Sequence, residues 1–178
     1  IHNKTIGELK TLTIREHRFP FLKKVNNWNR FEKNTGGTLV EKCCHFFDLM
    51  RLIAKSKPIS VYASGAQDVN HLDEEYDGKK PDIIDNAYVI VNFENGARSL
   101  LELCMFAENS NMQEELVATG NKGKIETSVP SNESGKISSN LRIGMRDGET
   151  RLETIEVDKK ILEAGHHHGS TYYEHLAF

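Results

Sequence analysis

GGTLVEKCCHFFDLMRLIAK, Gly36 to Lys55, is the longest helical pattern in the chain and carries its densest chemistry. The Gly36-Gly37 pair supplies a turn leading in. Thr38 and Glu41 have the spacing of a capping box, and Lys55 with the break at Lys57-Pro58 closes the helix. At about 100° per residue, Glu41, His45 and Asp48 share an arc of roughly 60°. Leu39, Val40, Cys43, Phe46, Phe47, Met50 and Ile53 cover the other faces, with Leu52 inside the polar arc and Cys44 beside it. A surface helix keeps its wet face free of large apolar groups. The pattern therefore predicts a helix buried on most sides, with an acid–imidazole–acid stripe facing something other than bulk water.

The same residues admit a purely structural reading. Glu41 is then only a cap, His45 a hydrogen-bonded core histidine, and Asp48 an i,i+3 partner of Arg51, since structural ion pairs imitate sites. Just ahead of the helix, Asn26, Trp28 and Arg30 sit in an irregular polar and aromatic segment, read structurally as a loop with one buried tryptophan.

Outward from the helix the chain reads as β. Gly7 to Arg18 alternates, Leu12 and Ile14 opposing Thr11, Thr13, Arg15 and His17, as a half-buried strand does. Pro58 to Gln67 is a second strand. Asp68 to Asp82 holds six acids, Gly78 and Pro81, and is expected to be a long mobile loop. Three hairpins follow, turning at Asn95-Gly96, at Gly120 to Gly123 and at Asp147-Gly148. One long helix and successive hairpins predict an α+β fold: an open, mostly antiparallel sheet with the helix on one face. The whole of 1–178 reads as one domain. It opens at Ile1 and closes at Phe178 inside a fresh helical pattern, and is read as a fragment of a longer protein.

In the Ile83–Phe106 hairpin both faces carry apolar groups, Tyr88 and Ile90 as well as Val89 and Val91. One helix cannot cover both, which predicts a homo-oligomer built sheet to sheet.

A net charge of −3 removes the electrostatic case for nucleic acid or an anionic membrane, and no apolar run approaches a membrane span. The three cysteines are an odd number, and adjacent Cys43 and Cys44 lie on a helical stretch. They are expected to be reduced thiols in a cytoplasmic setting, and their spacing supports no metal site. No GxGxxG follows a strand, so no dinucleotide-binding half is expected here. Near the end, Gly165-His166-His167-His168-Gly169-Ser170 leads into a last helical pattern containing Tyr172.

GGTLVEKCCHFFDLM resembles the GG-x-L-x-[DE]-x-x-x-H-x-x-D segment in the second domain of the Gfo/Idh/MocA family, nicotinamide-dependent dehydrogenases of sugars, inositols and related polyols. IGELKTLTIREHRFP, DNAYVIVNFENGARSLLEL and VATGNKGKIETSVP extend the resemblance over nearly the whole chain. It implies that Glu41 and His45 are catalytic and that Asp48 binds a substrate hydroxyl. Asn26, Trp28 and Arg30 are implied to line the substrate pocket, with His167, His168 and Tyr172 near its mouth. The family's acid is more often Asp, and Asn29 separates the usual Trp-Arg pair. The family's catalytic lysine belongs to an E-K-P motif in the cofactor domain. NAD or NADP is thus implied to bind mainly outside this chain, which alone is expected to be inactive. Histidine suits the base that takes a hydroxyl proton as hydride leaves an alcohol carbon. A scaffold or sensor module keeping the fold without turnover, and an NAD-dependent glycoside hydrolase relative, are the competing readings.

Overall fold

Alternation in β1, Leu9–His17, sets the layers: Leu12, Ile14 and Glu16 are buried on one face while Thr11, Thr13, Arg15 and His17 take the other. In the computed structural model, which describes residues 5–130, 139–155, 158–163 and 170–176, eight strands form one open sheet. The others are β2 (Pro58–Ala66), β3 (Asn86–Phe93), β4 (Arg98–Cys104), β5 (Met112–Gly120), β6 (Gly123–Pro130), β7 (Ser139–Met145) and β8 (Thr150–Ile155), in spatial order β2-β3-β4-β1-β5-β6-β7-β8. β1 runs parallel to β4 and antiparallel to β5, and the remaining pairings are antiparallel. The expected α+β architecture is therefore present, with the first strand inserted at the centre.

The hairpins close where turn chemistry demands. Gly96 takes φ 82° and its N–H bonds the Phe93 carbonyl at 2.9 Å, while Asn95 Oδ1 accepts from Ala97 N–H.

The single Gly36–Lys55 helix is corrected. It is two helices, α2 (Thr38–Glu41) and α3 (Cys44–Ala54), preceded by a one-turn α1 (Glu32–Thr35). Cys43, at φ −107° and ψ −1°, breaks the ladder. The break lets two successive residues turn inward, Lys42 to the buried Glu16 and Cys43 into the core. No capping box forms either. Gly37, at φ 83°, precedes α2, and the Thr38 hydroxyl instead donates to the Ile84 carbonyl. The helical stretch is also not buried on most sides. Phe46, Met50 and Ala54 join Leu12, Ile14, Val89, Val91 and Leu101 in one core, whereas Val40, Cys44, His45, Asp48 and Leu52 are exposed. Truncating Phe46 to Ala would cost about 3–5 kcal/mol. Lys55 ends α3 in the left-handed conformation at φ 48°. Two short helices, α4 (Lys159–Glu163) and α5 (Ser170–Leu176), follow the sheet. No helix is long and apolar enough to cross a membrane among the described residues.

Candidate functional site

Because β1 and β4 are parallel, both finish at the sheet end where β2 also finishes and β3 begins. Residues 18–31, 67–85 and 105–111 therefore gather there. The Thr38–Ile84 hydrogen bond docks α2 on the same end.

Two buried charges tie these connections down, and the expected mobile loop is instead anchored at both ends of its run. Asp85 accepts N–H bonds from Asp68, Val69 and Asn70, the last at 2.7 Å. Burial pushes its carboxyl up, but those amides and the Asn86 side chain outweigh it and hold the pKa below the ordinary value. Arg30, only 3% exposed, donates through Nε to Glu74 at 2.7 Å and through Nη1 to the Phe21 carbonyl. Tyr76 and His71 also bond Glu74, at 2.8 and 3.0 Å. Against the opposing effect of burial, the Arg30, Tyr76 and His71 contacts hold the Glu74 carboxyl at about 2.

Glu16 is 0% exposed, with Lys42 Nζ at 3.0 Å and Arg18 Nη1 at 3.5 Å. Neither of its oxygens has a partner in hydrogen-bond geometry among the described residues. Burial, partly offset by Lys42, raises its pKa. Adjacent Cys43 is pushed up to about 12, first by burial and then by the Glu16 charge, so it is an inert thiol. On the opposite sheet face His17 Nε2 lies 3.0 Å from Glu102.

The predicted site residues divide among these surroundings. Glu41, its side chain 14% exposed, pairs with Lys24 at 2.7 Å, and Lys24 stands 5.0 Å over the Trp28 ring. His45 is exposed on the first turn of α3, its ring 4.1 Å from that of Phe46. The break puts Glu41 and His45 on separate helices. Asp48 lies farther along α3, 66% exposed and 2.7 Å from Arg51, beside an apolar groove of about 550 Å³ between α3 and β2–β3. The loop with one buried tryptophan is inverted: Trp28 is 40% exposed, while Asn29 and Arg30 are buried. Asn29 is consumed by the Leu22 carbonyl and the Lys24 N–H. Asn26 is exposed at φ 54°. Tyr172 lies on α5, edge-on to Tyr173 at 5.7 Å. His167 and His168 lie outside the described residues. No group of three His, Cys, Asp or Glu that could hold a metal occurs among the described residues.

Sequence reasoning missed Glu16, Lys24, Lys42 and Glu74. Only Glu16 had a signal, since it shares the parity of Leu12 and Ile14 on β1.

The open eight-stranded sheet with its main helix on one face matches about half the length of solved oxidoreductase chains. The chain belongs to the Gfo/Idh/MocA oxidoreductase family, matching its C-terminal alpha/beta domain over residues 1–178. Solved structures share the fold. Aldose-aldose oxidoreductase from Caulobacter crescentus, complexed with glycerol, gives a TM-score of 0.66 at 16% identity over 98% of this chain and 46% of that one. A levoglucosan dehydrogenase complexed with NADH and levoglucosan gives 0.65 at 16% identity, covering 88% and 41%. Gal80p from Saccharomyces cerevisiae, as a super-repressor mutant, gives 0.67 at 14% identity, covering 89% and 42%. The chain thus spans less than half the length of these structures. No curated protein matches it in sequence.

Proposed function

We propose that this domain is the substrate-binding part of an oxidoreductase that moves hydride between NAD or NADP and a sugar, inositol or related polyol. The observation that supports it most is the placement of the EKCCH motif. Glu41 and His45 flank the helix break at the sheet end where three connections meet, in a chain of this family. The sugar-active enzymes among the similar structures support the substrate class. The described residues include no glycine-rich turn from a parallel strand into a helix, so they offer a dinucleotide no phosphate cradle. Cofactor binding is assigned to a separate domain of the longer enzyme, where the nicotinamide supplies the hydride chemistry.

The chain's own residues have the proton and the orientation. His45 takes the hydroxyl proton, with Glu41, held by Lys24, accepting a hydrogen bond from a neighbouring hydroxyl. Asp48, Trp28 and Asn26, with His167, His168 and Tyr172, are proposed substrate contacts. Arg30 acts through Glu74 as a support. The three free cysteines fit a cytoplasmic setting.

The outer sheet face is proposed to pair with a second copy. Register lines up Tyr62, Ile90, Leu100, Thr13 and Val117 in one row across it, with Tyr62 and Ile90 exposed. A binding or scaffold module without turnover is the second reading, favoured over a hydrolase by the likeness to Gal80p.

The test is turnover in the longer enzyme. His45→Ala should lower NAD(P) reduction by a polyol roughly 10²–10⁴-fold while circular dichroism stays unchanged. A fully active variant, or one that unfolds while the surviving fraction keeps its rate, returns His45 to a structural role.

A further inference from the structure

Segment 26–34 and the β2–β3 connection enclose a polar pocket of about 440 Å³ that lies apart from the Glu41–His45 motif. Its size falls within the range of small-molecule sites. It is lined by Asn26, Asn27 and Asn34 from the first segment and by Glu75 and Asp77 from the second. Phe31 and Tyr76, their rings packed edge to face at 6.3 Å, line it as well. Lys33 and Lys79 also line the space, so its two basic residues match its two acidic ones in number.

The backbone here is held against its preference. Five non-glycine residues take positive φ among the described residues: Asn26, Asn27, Lys55, His71 and Asp77. Lys55 merely ends α3, while the other four all belong to the two segments that form this pocket. Such conformations cost about 1 kcal/mol or more each and persist where surrounding structure over-determines them. That structure is visible: the Arg30–Glu74 pair clamps the segments together, and the Arg30 carbonyl accepts the Asp82 N–H at 3.2 Å.

From this juxtaposition we infer that the pocket is a second carbohydrate subsite, binding an uncharged, polyhydroxylated ring. Carboxamides both donate and accept, carboxylates accept and ammoniums donate, which together match hydroxyl groups in either role. The balanced charges favour a neutral ligand over a phosphate or a cation. The Tyr76 hydroxyl is already committed to Glu74 and Lys23 Nζ stands 5.1 Å over its ring, so Phe31 and the rest of the Tyr76 ring are the apolar surface for sugar C–H groups. Lys24 bridges Glu41 and Trp28, and Asn34 bonds the Trp28 carbonyl, so the subsite adjoins the motif through Trp28. A distal ring of an extended substrate fits this arrangement. The inference shares its ligand class and Asn26 with the reading above, and is otherwise built on residues that reading does not use.

The experiment is an amide-detected NMR titration of the chain with D-glucose, maltose and myo-inositol, and with inorganic phosphate as the charged comparator. Saturable shifts in the Asn26, Asn27 and Asn34 side-chain amides, tighter for maltose than for glucose and absent with phosphate, are expected. Asn26→Gly/Asn27→Gly keeps the left-handed backbone without strain and removes both carboxamides. It should leave the spectrum folded and weaken maltose binding by about tenfold, the worth of one or two hydrogen bonds. Unchanged maltose affinity in that variant, equal binding of phosphate, or no shift with any sugar overturns the subsite. Shifts confined to Glu41 and His45 overturn it too, while leaving the hydride-transfer reading in place.

Discussion

Glu16 Oε1 lies 3.0 Å from Lys42 Nζ, joining a wholly buried carboxylate at the centre of the sheet to the break between α2 and α3. Removing the cation alone strands the carboxylate, with only Arg18 at 3.5 Å to answer it. Lys42→Met should therefore destabilise the domain by about 3 kcal/mol in urea denaturation. Glu16→Gln combined with Lys42→Met should recover most of that loss, because it is the uncompensated charge that costs. Equal stability of the two variants would mean that the ion pair does not hold the break.

Glu74 makes stability depend on acid. Its folded pKa of about 2 lies below the ordinary 4.5, so the unfolded chain binds the proton more readily. The stabilisation is complete above about 4.5 and is lost as pH falls toward 2. Partial exposure of Glu74 screens part of it. Glu74→Gln should flatten the melting temperature in that window, and lower it at neutral pH by leaving Arg30 buried without its counter-charge. Glu16 runs the other way: its raised pKa means that its contribution falls as pH climbs through the folded value.

In the longer enzyme proposed above, Glu41→Gln distinguishes support from chemistry. The Lys24 pair is half open to solvent on the lysine side, so losing it should change stability by less than about 1 kcal/mol. Turnover should nevertheless drop if the carboxylate orients substrate. Asp48→Asn should act mainly on KM. A kcat loss for Asp48→Asn as large as that for His45→Ala would move the acid–base role along the helix.

Sedimentation should show the domain self-associating through the outer sheet face. Ile90→Asp places a charge in the middle of the Tyr62–Ile90–Leu100 row, and should give a monomer with an unchanged circular dichroism spectrum. A wild-type domain that stays monomeric at high concentration removes the proposal.

Much of the architecture was legible because it rests on local chemistry. Asn95-Gly96 and Asp147-Gly148 close hairpins through their own turn preferences, and β1 reveals its faces through strict alternation. The EKCCH motif and its family resemblance were likewise readable from neighbours in sequence.

Tertiary structure decided what depends on partners far along the chain. Nothing near Leu9–His17 announces that this strand will lie parallel to β4, since that pairing joins Thr11 to Arg98. The helix was predicted continuous because its periodicity is unbroken. It breaks where Lys42 pairs with a carboxylate from another element, a partner that no local pattern carries. Thr38 looked like a cap and became a dock: Gly37 takes the cap position, and the Thr38 hydroxyl donates to the Ile84 carbonyl. Sequence by itself determined the strands and hairpins, the sheet class and the family. Which polar residues share a cavity was settled only when Arg30 met Glu74 across 44 residues, bringing Asn26 and Asn27 into one pocket with Glu75 and Asp77.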